Sequence, residues 1–168
     1  LVRHRFPELV KMLSSIPGLK ELTVTTNGIL LAKMAEELKN NGLHRVNISI
    51  DTLRDDRFRS ITRIGSLNDA LQGLHAALKV GLTPVKVNTV VMNGINHDEA
   101  LDFAAYAVEH GLEWRFIEFM PLAGVAGLQQ ERFYSNEQLK KDIETRFTLL
   151  PDEDSHSLVS HTYKIKGT

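Results

Sequence analysis

Short segments in which hydrophobic and polar residues alternate recur along the chain, and longer segments with hydrophobic residues at helical spacing separate them. Alternation predicts a strand, whereas a period of about 3.6 residues predicts a helix. The predicted strands cover residues 22–26, 45–50, 85–91 and 113–119. The predicted helices cover residues 7–15, 29–39, 55–61, 67–80 and 98–109, followed by one that starts at Ser135 and runs to about Arg146. This order predicts an α/β fold with a parallel sheet and right-handed crossovers.

A short polar cluster stands at the carboxyl end of three predicted strands, and a fourth cluster lies inside the predicted strand 85–91. The clusters are TVTTNG (23–28), NISIDT (47–52), KVN (86–88) and EFMP (118–121). In parallel β/α folds the carboxyl ends of the strands form one shared mouth, and ligands bind there. The repeated clusters therefore predict a site assembled from several strands.

The predicted strands have one apolar face and one polar face. Parallel strands that are buried on both faces are usually continuous apolar runs. The apolar face carries Leu22, Val24, Val46, Ile48, Ile50, Val85, Val87 and Thr89. The polar face carries Thr23, Thr25, Asn27, Asn47, Ser49, Asp51, Lys86, Asn88 and Val90. A barrel lumen or sheet face that holds a polar ligand explains this pattern better than a dry core.

Several polar residues on this face have little reason to stand in a strand. Asn is depleted in strands, which applies to Asn47 and Asn88. Burying Lys86 without a partner would cost free energy, and a cation at this position suits phosphate or carboxylate. Arg115 and Glu118 fall on opposite faces of their strand, so they do not line one cavity together.

Ordinary structural roles compete with these interpretations. Residues 25–28 also fit a β-to-α turn, in which Gly28 takes left-handed geometry. Asp51 and Thr52 also fit a cap for the following helix, which is the favoured role of Thr52. In most contexts Met120 would be a plain core residue.

Composition excludes several function classes. The net charge of −1 argues against a general nucleic-acid binder, and no apolar run is long enough to cross a membrane. The absence of cysteine excludes disulfides, thiolate metal sites and cysteine nucleophiles among these residues. The histidines lack the spacing of a zinc site, and there is no P-loop or Gly-rich dinucleotide motif. We therefore expect no nucleic-acid partner, no membrane partner and no metal bound by this chain.

Five segments, in this order and at these separations, resemble one enzyme family. They are TTNGILL, GLHRVNISIDTL, ITRIG, GLTPVKVNTVVMNGIN and EWRFIEFMPLAG. The family is MoaA, the radical S-adenosylmethionine (SAM) enzymes known as GTP 3′,8-cyclases. The resemblance covers about residues 1–120. The opening LVRHRFPEL is similar to the stretch that follows the family's Gly-Gly-Glu-Pro motif, so we expect a segment of a longer protein.

The resemblance implies a fold and a function. The expected fold is a partial TIM-type (β/α) barrel of parallel strands over residues 1–148, incomplete in this chain. Residues 149–168 would begin a C-terminal extension. From the residues themselves, and not from the resemblance, we expect a loop over 124–133 and a β-ribbon over 157–166. The implied enzyme cleaves SAM at an N-terminal [4Fe-4S] cluster, and the 5′-deoxyadenosyl radical starts the rearrangement of GTP in the first step of molybdopterin biosynthesis. A second, C-terminal [4Fe-4S] cluster helps to hold the purine. The resemblance also implies that the enzyme is a cytoplasmic lyase, whose product is the substrate of the next protein in the pathway.

The resemblance also assigns residues, position by position. Thr25 and Lys86 match family positions that contact GTP, and Ser49 and Met120 match positions that contact SAM. The pattern of faces, and not the resemblance, adds Asn27, Asp51 and Asn88 as neighbours. No residue is assigned as catalytic.

The family's cluster cysteines are absent from this chain. Because thiolates hold such clusters, we expect the chain alone to be inactive. Three alternatives stay open: another radical SAM enzyme, a barrel-type aldolase that uses Lys86 to form a Schiff base, and a non-catalytic nucleotide-binding domain.

A partial barrel has an exposed strand edge, and such an edge is a template for pairing with another chain. We therefore predict that the isolated chain forms a homodimer or larger aggregates. Size-exclusion chromatography with light scattering measures this directly. A clean monomer over a wide concentration range contradicts the prediction.

Overall fold

The computed structural model describes residues 1–120, 130–152 and 160–167. Four strands form one sheet, in the order β1-β2-β3-β4. They are β1 (Thr23–Thr26), β2 (Arg45–Ser49), β3 (Lys86–Val91) and β4 (Glu113–Glu118). β1 pairs with β2, and β2 with β3, in parallel. Each strand is added to the same edge of the sheet as its predecessor, as in a (β/α) barrel and unlike a doubly wound sheet, whose order reverses.

The described chain has six α-helices, of which the first precedes β1 and the others follow it. They are α1 (Phe6–Ser14), α2 (Ala35–Asn40), α3 (Asp55–Thr62), α4 (Leu67–Lys79), α5 (Ala100–His110) and α6 (Asn136–Glu144). Short 3-10 helices cover Leu31–Lys33, His97–Glu99 and Gln130–Arg132. None of the helices in the described ranges combines the length and apolar character that a membrane span needs.

The prediction of one continuous helix over 29–39 is wrong. The structure divides it into the 3-10 helix Leu31–Lys33 and the short α2, with Met34 between them at φ −123°. The reason is local: the N–H of Leu31 donates to the carbonyl of Gly28 at 2.9 Å, which starts a tight turn directly after β1. Leu31 is fully buried, and packing at this point outweighs the preference for one longer helix.

One predicted cap is wrong, and the predicted start of α6 at Ser135 is confirmed. Thr52 does not cap α3, which has Arg54 as its N-cap; its hydroxyl accepts from the N–H of Arg54 at 3.0 Å instead. Ser135 caps α6 by accepting from the N–H of Gln138 at 3.1 Å. The side chain of Gln138, however, donates to Asp142 at 3.1 Å rather than reaching back to the cap.

The described residues form two compact units. One comprises Leu1–Val90 with Leu112–Ile117, and the other Val91–Gly111 with Glu118–Thr168. In the first unit α4 contacts α2, α3 and β2. Its buried apolar residues include Leu31, Leu38, Leu43, Val46, Ile48, Ile50, Phe58, Ala70, Leu74, Leu82, Val85 and Val87.

The second unit is built around α5 and α6, whose inward residues Phe103, Ala104, Leu139 and Ile143 are buried. Farther along, β5 (Leu149–Pro151) pairs antiparallel with β6 (Tyr163–Ile165). The predicted domain boundary after residue 148 stays a prediction. The predicted loop over 124–133 falls outside the described residues up to 129, and part of the predicted ribbon over 157–166, residues 157–159, does too.

The turn after β1 packs tightly against α4. Gly28 has φ +79°, and a Cβ there would lie 3.0 Å from the carbonyl oxygen of Ala70. A Cβ on Gly73 would lie 2.1 Å from the carbonyl oxygen of Gly28. The backbone of the turn and the helix therefore approach each other at a distance that only glycine permits.

We predict that Gly73→Ala destabilises the chain by about 1–3 kcal/mol, the usual cost of overpacking. At a solvent-exposed helix position the same change would stabilise by about 1 kcal/mol. The sign of the change in unfolding free energy therefore shows whether the two backbones are in close contact. Urea unfolding followed by circular dichroism measures the effect, and Gln72→Ala, at the exposed neighbour on α4, is the control. A Gly73→Ala variant as stable as the parent would refute the close approach.

Candidate functional site

The polar residues of the first three strands stand in rows across the sheet. Thr25 is paired with Asn47, and Asn47 with Lys86, so these three residues form one row. Ser49 and Asn88 form the next row toward the carboxyl ends. Adjacent strands are about 4.8 Å apart, which places the backbones of the outer members of a row roughly 10 Å from each other. The structure thus brings Thr25, Ser49, Lys86 and Asn88 together on one face.

The opposite face is dry. Val46, Ile48 and Val87 on that face are completely buried, as the alternation predicts. On the polar face Thr25 and Ser49 are exposed, whereas the side chains of Lys86 and Arg45 are only 15% and 17% exposed. Charged side chains buried to this extent need partners, and the structure provides them.

Glu21, Arg45, Asn47 and Thr25 form one hydrogen-bonded chain. Nε and Nη2 of Arg45 donate to the two carboxylate oxygens of Glu21 at 2.7 and 2.8 Å. Nη1 of Arg45 donates to Asn47 at 2.9 Å, and the amide of Asn47 donates to the hydroxyl of Thr25 at 3.3 Å. The hydrogen bond from Arg45 lowers the pKa of Glu21. Because Arg45 uses both ends of its guanidinium, the chain fixes the orientation of Asn47 and Thr25.

Lys86, Glu113 and Arg115 form a second charged cluster. Nζ of Lys86 lies 2.8 Å from Oε2 of Glu113, and Nε of Arg115 lies 2.8 Å from Oε1 of the same carboxylate. Partial burial raises the pKa of Glu113, but the hydrogen bonds from Lys86 and Arg115 outweigh it and leave that pKa below its ordinary value. Glu113 therefore stays charged and neutralises one of its two cationic partners.

Side chains hold the strands together beyond the end of β2. Oδ1 of Asp51 accepts from the N–H of Val90 at 2.9 Å. The hydroxyl of Thr89 donates to the carbonyl of Ile50 at 2.5 Å and accepts from the indole N–H of Trp114 at 2.8 Å. Burial raises the pKa of Asp51, and the hydrogen bond from Val90 offsets only part of that rise.

The remaining predicted site residues differ in what they can offer a ligand. Asn27 forms the turn after β1, since its Oδ1 accepts from the N–H of Ile29 at 3.3 Å. The side chains of Ser49 and Asn88 make no hydrogen bond within the described chain, so their polar groups can meet a ligand. Met120 is 76% exposed, which contradicts the core alternative, and it belongs to the second unit. Its pairing with Ser49 stays a prediction.

Sequence reasoning missed Arg45 and Glu113 and set Arg115 aside. Arg45 is two residues before Asn47 on the same face of β2, so extending the alternation by one step back would have found it. Glu113 and Arg115 are likewise two residues apart on β4. The sequence analysis compared Arg115 only with Glu118, which follows it, and not with Glu113, which precedes it. The ion pair between Glu113 and Arg115 was therefore not predicted.

A family model described as the radical SAM superfamily matches residues 1–107 of the 168. The chain belongs to the radical SAM superfamily. Relatives that match nearly the whole chain include the GTP 3′,8-cyclase of Alkaliphilus metalliredigens, 46% identical over 99% of this chain and 51% of the relative. The GTP 3′,8-cyclase of Moorella thermoacetica is 49% identical over 92% of this chain and 47% of the relative. These similarities confirm the resemblance drawn from the sequence.

The chain spans about half the length of the curated relatives it matches. Among solved structures it is similar to coproporphyrinogen III oxidase (HemN) from Escherichia coli, a radical SAM enzyme, with a TM-score of 0.55 and 17% identity. The similarity covers 82% of this chain and 34% of that chain. At this identity it shows the fold alone, and it confirms the predicted radical SAM-type partial barrel.

The radical SAM family implies SAM and iron–sulfur chemistry. Iron–sulfur clusters are held by cysteine thiolates, and this chain has no cysteine, so its residues do not fit a cluster. Nor do the described residues contain a group of histidines and carboxylates that could hold a metal ion.

Asp51 generates a prediction about pH. Because its pKa is raised in the folded state, its contribution to stability is fully present below the unfolded pKa of about 4 and is lost as pH rises through the folded pKa. Asn at this position still accepts the hydrogen bond from Val90 and never becomes charged. We therefore expect Asp51→Asn to become more stable relative to the parent between pH 4 and pH 7.

Urea unfolding of both proteins at the two pH values measures this difference. Glu109→Gln, which changes an exposed acid on α5, is the control. Its difference in unfolding free energy from the parent should not increase comparably between pH 4 and pH 7. A difference for Asp51→Asn that is constant or shrinks with rising pH contradicts the assignment.

Proposed function

We propose that this chain is the substrate-binding half of the barrel of a GTP 3′,8-cyclase. The whole enzyme would use a 5′-deoxyadenosyl radical from SAM to rearrange GTP in the first step of molybdopterin biosynthesis. The observation that carries the proposal is the row Thr25–Asn47–Lys86 on an open polar sheet face, in a chain whose close relatives are named GTP 3′,8-cyclases.

The chemistry of this face suits a nucleotide triphosphate. Lys86 would meet the triphosphate as a point charge, and the hydroxyl of Thr25 would donate or accept at the other end of the row. Arg45 keeps Asn47 and Thr25 in place through its hydrogen bonds. Such orientation lowers the entropic cost of binding. Asn27 and Asp51 would stand near the ligand as parts of the surrounding turn and strand end.

The free side chain of Ser49 suits the polar end of SAM, and that of Asn88 lies beside it as a neighbour of the GTP residues. The hydroxyl of Ser49 would hydrogen-bond this cofactor, and Met120 would offer it an adaptable apolar surface. When bound, SAM supplies the radical chemistry. The residues of this chain would bind and orient the two ligands. The two [4Fe-4S] clusters would take their thiolates from outside this chain, which is therefore inactive by itself.

The same proposal covers the surroundings of the enzyme. GTP is a cytoplasmic metabolite, so we place the enzyme in the cytoplasm, where the next protein of the molybdopterin pathway would take its product. For the isolated chain, a homodimer through the open edge at β1 belongs to this proposal, because β1 is the first strand in the sheet order and pairs with β2 alone within the described chain.

Lys86 also carries the second candidate, a Schiff-base aldolase. An aldolase lysine attacks its substrate as a neutral amine, whereas Nζ of Lys86 donates to the carboxylate of Glu113 at 2.8 Å. This contact favours the nucleotide proposal. Labelling of Lys86 by borohydride with a carbonyl substrate would support the aldolase.

We predict that Lys86→Gln weakens GTP binding about tenfold to a hundredfold, since a hydrogen bond to a charged group contributes about 1.5–3 kcal/mol. Isothermal titration calorimetry of this chain with GTP, GDP and GMP measures the loss, which should be largest for GTP. Lys79→Gln, at an exposed lysine on α4, is the matched control. Ser49→Ala should lower the affinity for SAM and leave GTP binding unchanged.

If the parent chain binds no GTP, or binds it equally well without Lys86, the proposed function fails. Equal binding of GTP and ATP, with Lys86 still required, would instead favour the non-catalytic nucleotide-binding domain. Binding of SAM without GTP would favour another radical SAM enzyme.

A further inference from the structure

Two cations of the candidate site share one carboxylate. Lys86 uses Oε2 of Glu113 and Arg115 uses Oε1, each at 2.8 Å. The third cation of this face, Arg45, is already paired through two hydrogen bonds with Glu21. Glu113 is therefore the counter-ion of Lys86 in the described chain.

The Glu113 carboxylate occupies the position that a ligand's anionic group would need. Phosphate and carboxylate oxygens accept hydrogen bonds from lysine and arginine in the same way. Both oxygens of Glu113 are engaged by the two cations. A phosphate group that binds Lys86 must therefore displace this carboxylate or approach it against charge repulsion.

The exposures make displacement feasible. The side chain of Glu113 is 37% exposed, whereas that of Lys86 is 15% exposed. The anion is thus the more accessible partner, and its flexible side chain can swing toward solvent. The cation belongs to β3, and its side chain is largely covered.

We propose that Glu113 is a built-in competitor of the substrate's anionic group, which sets the affinity for Lys86 and favours ligands of high negative charge. This inference rests on the proposed function for the identity of the ligand. A weakly charged ligand gains little by displacing Glu113, because it replaces one ion pair with another. A polyphosphate brings several charges and can satisfy Lys86 and Arg115 together.

A purely structural role of Glu113 predicts the opposite sign. If the carboxylate mainly held Lys86 in an extended conformation, its removal would weaken binding. Glu113→Gln separates the two roles, since the amide oxygen can still accept from Lys86 while the charge is gone. Glu113→Ala removes both the charge and the support, and serves as the second variant should Gln disturb folding.

The experiment is calorimetric titration of this chain with sodium tripolyphosphate, GTP and GMP at constant ionic strength. We expect Glu113→Gln to bind tripolyphosphate and GTP about fivefold more tightly than the parent, because the negative charge that competes with the ligand for Lys86 is removed. The gain for GMP should be smaller. Glu37→Gln, which removes an exposed charge on α2, should bind as the parent does. Circular dichroism and a thermal melt show that each variant is folded.

The outcomes separate the inference from the proposed function. Unchanged or weaker binding by both Glu113 variants, with Lys86-dependent GTP binding in the parent, overturns the inference alone. Tighter binding of tripolyphosphate without any advantage for GTP supports the inference and overturns the proposed function. Absence of binding of all three ligands to parent and variants overturns both.

Discussion

Strand alternation in this molecule confines charge to one face of the sheet, because the opposite face is buried in the apolar core. Val46, Ile48 and Val87 are completely buried on that face, and the desolvation of an ion among them would cost several kcal/mol, which apolar neighbours do not offset. Every charged group of the central strands must therefore point to the other side. That constraint places Arg45 of β2 and Lys86 of β3 on a single surface, where Arg115 of the outer strand β4 shares a carboxylate with Lys86.

This concentration of charge explains the hydrogen-bond network of the face. Cations exposed by less than a fifth, such as Arg45 and Lys86, are stable only with close partners. Glu21 supplies the partner for Arg45, and Glu113 supplies it for Lys86. The protein thereby keeps its cations ordered before any ligand arrives. Ordered cations favour the binding of an anionic ligand. The carboxylates of Glu21 and Glu113, which order them, also repel that ligand.

The tight contact between the turn after β1 and α4 complements this arrangement. Gly28 and Gly73 bring two backbones together, and the row that includes Thr25 starts directly before that turn. Helix α4, which packs on the apolar face of the sheet, thus supports the position of Thr25 on the polar face. The side-chain bonds of Asp51 and Thr89 secure β2 and β3 in the same way at their carboxyl ends.

The sequence by itself determined the element order and the two faces of the strands. It also placed Thr25, Ser49, Lys86 and Asn88 on the polar face, because periodicity and polarity are local properties. The tertiary structure decided what periodicity cannot express. Packing at Leu31 divided the predicted helix over 29–39, and sheet order placed Glu113 beside Lys86, which is 27 positions earlier in the chain. Whether a polar side chain is occupied or free, as for Asn27 against Ser49, depends on neighbours that only folding supplies.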